Sequence, residues 1–405
     1  MIFDTVTIVI CAVLVVLALL SSFLDTFFRK VRAGGDGPSG PATPCRPVSV
    51  IVVADNNAED LRANLDSLLS QDYEPGYEVI VVVDKDEDGT GDFLKAYGKR
   101  PNLYTTFVPD SSRYMSRRKL AITLGVKAAK NELILLTDAT CRPVSDKWIS
   151  VMASRLDEGT DIVMGYSNYI HEAGLFKVFY RFHCEYSNFR EACNGAAYGM
   201  AGNNIMFRKD VFMAGNGFQG NLKYLRGEYV FLVNKYAGHG NAAVETSCEG
   251  RVEDRVPTRK EWHSVNLFYR ETRRHLDRSF SHRLAFNLDM LSLYAGLVAG
   301  VIIIILFAYV ISVFVVHGIE RESSVIGALY AVLTQMWLML PFSAVALFLP
   351  VVVRLLNARR AMRLFGESVP LWKVFPFELR LVWHNLRYAI SYRFTDKYEF
   401  TSHKS

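Results

Sequence analysis

The fold is decided by the stretch "VSVIVVA", residues Val48–Ala54, an apolar run with a single serine in it. Such a run is typical of a strand that is buried on both faces, as in a parallel sheet. Residues 58–71 then place leucines on one helical face, and a second apolar run follows at Glu78–Val83. The order strand, helix, strand predicts the first unit of an α/β domain.

The same alternation continues along the chain. Further apolar runs predict strands at Leu103–Val108, Glu132–Thr137 and Asp161–Tyr166, and residues 117–130 are predicted to be helical. Because crossover connections between parallel strands are right-handed, this pattern predicts a mostly parallel, doubly wound, Rossmann-like sheet.

Polar residues stand directly after several of these strands. Asp55 and Asn56 follow the first strand, Asp84 the second, and Asp138 the fourth. In open α/β sheets, ligands bind beyond the carboxyl ends of the strands. Loop aspartates are common and need no function, but their gathering at one edge favours a site for a polar ligand.

The composition predicts membrane segments beside this domain. Half of the 405 residues are hydrophobic, and three stretches of the chain are long and uncharged. A cleavable signal peptide is the alternative for the first stretch, and buried core helices are the alternative for the other two. Basic residues after the first and third stretches predict that the large middle region is cytoplasmic in a multi-pass protein of the inner membrane.

The predicted organisation therefore has seven parts. They are an N-terminal transmembrane signal anchor (1–28), a Gly/Pro-rich linker (29–47), a cytoplasmic α/β domain (48–257), a basic amphipathic juxtamembrane segment (258–285), transmembrane helices (286–316 and 323–353) and a basic cytoplasmic tail (354–405). The basic tail favours membrane lipid as a partner and not nucleic acid. The six cysteines and nine histidines show no spacing typical of a metal site.

Four segments resemble family 2 glycosyltransferases. They are "VSVIVVADNNAEDLRANLDSLLSQDY", "VVVDKDEDGT", "SRRKLAITLGVKAAKNELILLTDATCRP" and "GMAGNNIMFRKDVFMAGNGF", within Val48–Phe231. The resemblance implies a GT-A domain of a membrane-bound enzyme of polysaccharide biosynthesis. Such an enzyme would transfer a sugar from a nucleotide-diphosphate donor to a lipid-linked or glycan acceptor, with inversion at the anomeric carbon.

The resemblance also implies site residues. A diphosphate leaving group is stabilised by a divalent cation, Mg²⁺ or Mn²⁺, which carboxylates hold. Asp138 would bind this metal, and the acceptor side would contain Asn203 and Asn204. The nucleotide-binding residues would be Asp55, Asn56, Asp84, Lys119 and Asp138.

Three departures from the family pattern bear on catalysis. The second carboxylate of the DxD motif is replaced by Thr140, a weak ligand without charge. The acidic pair that supplies the base is reduced to Glu228 and Tyr229, and a tyrosine is a poor base at neutral pH. The QxxRW segment is missing, although Arg273 and Arg274 lie where it belongs and are expected to contact the diphosphate and to reduce the need for metal.

Two functions therefore remain open from the sequence. The first is an active glycosyltransferase in which Glu228 is the surviving acid near the acceptor. The second is a catalytically inactive homologue that acts as a binding or scaffold subunit of a glycan-assembly complex. A processive synthase is less favoured, because the chain has few predicted spans for a channel.

Overall fold

The computed structural model describes the chain except for residues 1–11, 13–14, 17–18, 32–45, 98–99, 110–115, 239, 322–347 and 401–405. Most of the predicted linker and of the span predicted at 323–353 lies outside the described residues, as does part of the predicted N-terminal anchor. The chain divides into two compact units. The sheet unit comprises Lys30–Asp277, Met362–Val369 and Trp383–Ser405, and the helical unit comprises Met1–Arg29, Arg278–Ala361 and Pro370–Val382.

The described residues of the sheet unit form ten strands. They are β1 (Val48–Ala54), β2 (Tyr77–Val83), β3 (Leu103–Phe107), β4 (Leu133–Asp138), β5 (Cys141–Pro143), β6 (Ile162–Gly165), β7 (Ser167–Tyr169), β8 (Ile205–Arg208), β9 (Ala242–Glu245) and β10 (Val252–Asp254). The predicted strands at the positions of β1, β2, β3, β4 and β6 are confirmed to within two residues.

Eleven helices occur among the described residues, besides a short helical stretch near the N-terminus. They are α1 (Ala58–Leu69), α2 (Thr90–Ala96), α3 (Arg117–Ala128), α4 (Trp148–Ala153), α5 (Leu175–Cys193), α6 (Lys209–Ala214), α7 (Glu228–Tyr236), α8 (Arg259–Arg274), α9 (Phe280–Arg321), α10 (348–365) and α11 (Leu371–Phe394). Short 3₁₀ helices lie at His171–Ala173 and Lys397–Phe400.

The main sheet has seven strands in the order β3-β2-β1-β4-β8-β6-β9. The pairs β3–β2, β2–β1 and β1–β4 are parallel, in agreement with the predicted mostly parallel sheet, and β6 is parallel to β9, a strand that was not predicted. β8 runs antiparallel to both β4 and β6. The sheet is therefore mixed. β8 was not among the predicted strands.

The centre of this sheet is fully buried between helices. Every residue of β1 and β4 is buried, and the leucines of α1 pack on one face. α3 packs against β1 and β2 on the other face. A Cβ atom at Gly125 of α3 would lie 2.7 Å from Ile51 Cγ2, so the glycine permits the close approach of helix and sheet.

A second sheet of three short strands, β5-β10-β7, was not predicted. β10 pairs antiparallel with β5 and parallel with β7. This pairing places Asp254 opposite Cys141 on one side and Tyr169 on the other. A carboxylate from late in the chain is thereby held beside the residues that follow β4.

The helical unit corrects the predicted fold class and location. In the part of the chain that the structure describes, no helix is both long enough and apolar enough to cross a membrane. This finding contradicts the predicted three transmembrane helices and the predicted multi-pass membrane location, while the α/β part of the prediction stands. The prediction relied on runs of uncharged residues, a weaker criterion than a continuous helix that is both long and apolar.

Candidate functional site

The carboxyl ends of β1 and β4 open into a cavity of about 410 Å³ within the sheet unit. The register of the two strands pairs Val53 with Asp138, so Asp138 and Asp55 lie at the same edge. The cavity is completed by the loop between α5 and β8, by the start of α7, by β10 and by residues of α8. Its polar and charged lining includes Asp55, Asn57, Arg118, Asp138, Thr140, Asn203, Arg226, Glu228, Tyr229, Asp254, Arg255 and Glu261.

The structure brings together half of the residues that the sequence analysis selected. Asp55, Asp138, Thr140, Asn203, Glu228 and Tyr229 line the cavity. The lining does not include Asn56, Asp84, Lys119, Asn204, Arg273 or Arg274. The roles assigned to all twelve residues remain predictions.

Asp138, the last residue of β4, is at the centre of the site. Its Oδ1 accepts a hydrogen bond from Tyr229 Oη at 2.8 Å and forms an ion pair with the Nη2 atom of Arg118. Burial raises the pKa of Asp138, and the Arg118 guanidinium opposes this shift. The carboxylate is thus held by two donors of the protein itself.

Tyr229 is not suited to act as a base. Its side chain is buried, and burial, followed by the nearby Asp138 carboxylate, raises its pKa well above 10. Its hydroxyl donates a hydrogen bond to Asp138 and thereby orients that carboxylate.

Glu228 is the better acid–base candidate. It is the first residue of α7 and is only 5% exposed, yet it lines the cavity. Its Oε2 lies 3.8 Å from Arg118 Nε, and its Oε1 is buried without a hydrogen-bond partner among the described atoms. Gly227 before it has φ of +93°, and a Cβ there would lie 2.7 Å from Thr272 Cγ2, so this start of α7 requires glycine.

A second carboxylate, Asp254, was missed by the sequence analysis. Thr140 Oγ1 donates to Asp254 Oδ1 at 2.7 Å, and Arg181 Nη1 lies 2.8 Å from Oδ2. Asn203 Nδ2 is a further donor to Oδ2, at 3.4 Å. The threonine that replaces the second DxD carboxylate is therefore bonded to a carboxylate from another strand. No motif marks Asp254, since β10 has only three residues.

Arg118 was also missed, although a physical signal exists. α3 begins with Arg117, Arg118 and Lys119 and has no acidic residue in its first turn. Positive charges at a helix N-terminus oppose the helix dipole, so each of them needs a compensating partner. Arg117 Nε pairs with Asp84 Oδ1 at 2.6 Å, and Arg118 pairs with Asp138.

Lys119, the third cation of this turn, supports the segment that leads to Glu228. Its Nζ donates to the carbonyl oxygens of Asn221, at 2.8 Å, and of Tyr224, and it lies 4.8 Å from the centre of the Phe231 ring. Burial lowers the pKa of Lys119 to about 8. Lys119 therefore acts here as a positioning residue.

The remaining selected residues have structural partners. Asn204 is fully buried, accepts from Trp148 Nε1 at 3.1 Å and donates to the carbonyl oxygen of Gly250 at 2.9 Å. Asn56 exchanges hydrogen bonds with Glu87. Arg273 lies over the ring of Tyr269, and Arg274 over the ring of Tyr392.

The donor set does not fit a divalent cation. Oδ1 of Asp138 and both oxygens of Asp254 already have protein donors. Thr140 contributes no charge, and its hydroxyl donates a hydrogen bond to Asp254. Among the described residues, no group of three His, Cys, Asp or Glu side chains is placed to hold a metal ion.

Comparison with known proteins agrees with the fold. Residues 49–215 match the family model "Glycosyl transferase family 2", and the prediction of an enzyme of the glycosyltransferase type is confirmed. No curated protein sequence matches the chain significantly.

Solved structures similar to this chain are glycosyltransferases and synthases of low identity. The mannosyltransferase PcManGT from Pyrobaculum calidifontis, in complex with GDP-Man and Mn²⁺, is 17% identical with a TM-score of 0.50, over 88% of this chain and 97% of that chain. TarS 1–349 from S. aureus, in complex with UDP-GlcNAc, is 16% identical with a TM-score of 0.40, over 58% and 69% of the two chains. The first similarity shows that the chain has the α/β GT-A fold.

Proposed function

We propose that the sheet unit transfers a sugar from a nucleotide-diphosphate sugar to a hydroxyl group of a glycan or lipid-linked acceptor, with Glu228 as the general base. The observation that carries this proposal is the unpartnered Oε1 of Glu228, a buried carboxylate oxygen of a residue that lines the cavity. A carboxylate oxygen without a donor is available to accept the proton of an incoming hydroxyl.

The reaction is a displacement at the anomeric carbon. The acceptor oxygen forms a bond to that carbon while the bond to the diphosphate oxygen breaks, and the nucleoside diphosphate leaves with the electron pair. The hydroxyl proton passes to Glu228. Attack from the face opposite the leaving group gives inversion, as the resemblance to family 2 implies.

Two groups of lining residues suit the two substrates. The edge formed by Asp55 and Asp138, at the ends of β1 and β4, is where doubly wound sheets bind nucleotides. α8 contributes Val265, Phe268 and Tyr269 to the lining, and such apolar and aromatic side chains suit the faces of a sugar ring. GDP-mannose, the donor bound by PcManGT, is therefore the first donor to test.

The test is turnover by Glu228→Gln. The variant keeps the shape of the side chain but cannot accept a proton, so we expect kcat to fall by about 10²–10⁴. The dissociation constant of the donor should stay within about threefold, because the base acts only on the acceptor. Glu249→Gln, which changes an exposed glutamate outside the cavity lining, is the matched control and should behave as the natural protein.

Two results would separate the alternatives. Full activity of Glu228→Gln overturns the assignment of the base. Tight donor binding without turnover in the natural protein, over a range of acceptors, instead favours the catalytically inactive binding subunit.

A further inference from the structure

One departure from the family pattern, Thr140, lies in the same cavity as an arginine, Arg118, that is paired with Asp138. Thr140 removes one negative charge from the DxD position, and Arg118 adds one positive charge directly on the remaining carboxylate, Asp138. Asp254, the carboxylate closest to Thr140, is neutralised separately by Arg181. The loss and the gain therefore occur at the same point of the cavity.

The charge balance shows why these changes belong together. In the DxD pattern, two carboxylates and one divalent cation have no net charge. One carboxylate and one guanidinium, Asp138 with Arg118, also have none. A divalent cation added to the existing pair would be close to a guanidinium group, and the two cations would repel each other.

Arg118 keeps donors available for a ligand. A guanidinium has five N–H donors in a planar fork, which matches the oxygens of a phosphate. Nη2 is used by Asp138 and Nε faces Glu228, whereas Nη1 has no hydrogen-bond partner among the described residues. Arg118 itself lines the cavity beside Asp138 and Glu228.

The lining contains a second guanidinium, that of Arg226, which is available to a ligand. Arg226 is exposed, and in the described part of the chain it makes neither a hydrogen bond nor an ion pair. It lies two residues before Glu228, on the segment that Lys119 supports through the carbonyl oxygens of Asn221 and Tyr224. By contrast, Arg255 is already paired with Asp60 and Glu261.

We infer that Arg118 and Arg226 replace the divalent cation of related sites and bind the diphosphate of the donor directly. Arg118 is the cation held on Asp138, and Arg226 is the exposed cation of the same lining. This inference rests on the proposed function, because it concerns the diphosphate of the same donor. It assigns to Arg118 and Arg226 the role that the sequence analysis gave to Arg273 and Arg274.

The experiment measures binding of GDP, GMP, UDP and UMP to the full chain by calorimetry, after treatment with EDTA and again with 1 mM Mn²⁺. The ratio of the monophosphate and diphosphate dissociation constants isolates the contribution of the second phosphate. We expect one nucleotide pair to bind in EDTA, with the diphosphate at least about tenfold tighter than the monophosphate. Addition of Mn²⁺ should change the dissociation constant of the nucleoside diphosphate by less than about twofold.

Variants connect this binding to the two arginines. Arg226→Met should weaken diphosphate binding about tenfold and leave monophosphate binding unchanged. Arg142→Met is the matched control, since Arg142 is exposed, lies outside the cavity lining and should have no effect. Arg118→Met should remove the diphosphate contribution, and Arg118→Lys should restore part of it. If Arg118→Met does not fold, because Asp138 loses its counter-charge, Arg226→Met still decides the question.

The outcomes distinguish this inference from the proposed function. Diphosphate binding that requires Mn²⁺ overturns the role of the arginines and leaves the proposed function intact. An unchanged phosphate ratio in Arg226→Met overturns the assignment of that residue. Absence of binding by every nucleotide, with and without Mn²⁺, overturns both proposals.

Discussion

Restoring the second carboxylate by Thr140→Asp should destabilise the protein. Thr140 Oγ1 now donates to Asp254 Oδ1 at 2.7 Å, and a carboxylate at this position would face Asp254 with no proton between them. Two carboxylates about 4 Å apart repel each other by about 4 kcal/mol at an effective dielectric constant of about 20. Because Arg181 stays on Asp254, we expect a net loss of about 2–3 kcal/mol in the free energy of unfolding at pH 7.

The stability deficit of Thr140→Asp should depend on pH. The repulsion raises the pKa values of the two carboxyl groups in the folded variant above those of the unfolded chain. The folded variant then binds more protons, so its deficit is greatest at neutral pH and decreases as the pH falls towards 5. Urea unfolding at pH 7 and pH 5 measures both values. Asparagine has the shape of aspartate but is uncharged and can donate a hydrogen bond, so Thr140→Asn should lower the free energy of unfolding by at most about 1 kcal/mol.

Addition of Mn²⁺ completes this test. Thr140→Asp brings a third carboxylate to Asp138 and Asp254, so 1 mM Mn²⁺ should recover part of the lost stability in this variant and have little effect on the natural protein. If Thr140→Asp is no less stable than Thr140→Asn, the contact between Thr140 and Asp254 has been misjudged. If Mn²⁺ stabilises the natural protein as much as the variant, the natural site does bind metal.

Two further predictions concern buried groups around the cavity. Burial raises the pKa of Glu185 to about 7, and since this is above its value in the unfolded chain, the stability it contributes is present at low pH and is lost as the pH rises from about 4.5 to 7. Urea unfolding should show that the free energy of unfolding decreases by roughly 3 kcal/mol over this pH range. Glu185→Gln should remove most of this decrease, and an equal decrease in the variant would show that Glu185 is not its cause. Tyr229→Phe removes the 2.8 Å hydrogen bond to Asp138 and should cost about 1.5–3 kcal/mol of stability while kcat falls less than about tenfold. A loss of kcat of about 10²-fold or more in Tyr229→Phe, with donor binding unchanged, would instead identify Tyr229 as a catalytic group.

The regular part of the sheet unit was predictable because each element has its own local signal. β1 and β4 are apolar runs of strand length, and α1 follows the helical spacing of its leucines. The aspartate at the end of β4 could be placed in the site for the same reason. Position at the end of a parallel strand follows from local pattern and from the right-handed crossover.

The rest of the site depends on contacts between distant parts of the chain. Asp254 reaches Thr140 only because β10 inserts between β5 and β7, and three-residue strands have no readable pattern. The commitment of Arg118 to Asp138 is likewise a tertiary contact, although the absence of acids in the first turn of α3 indicated that its cations need partners. Alignment with a family pattern selects candidate positions in the sequence, but it does not show which charged side chains pair with them in the folded chain.

The most direct test of the account is a calorimetric titration of the full chain with a panel of GDP- and UDP-sugars, beginning with GDP-mannose, in the presence and absence of Mn²⁺. The account predicts that one donor binds, that Glu228→Gln binds it equally well, and that only the natural protein then transfers its sugar to an acceptor. Failure of every donor to bind to protein shown to be folded, under both conditions, would contradict the central claim that this cavity is a nucleotide-sugar site.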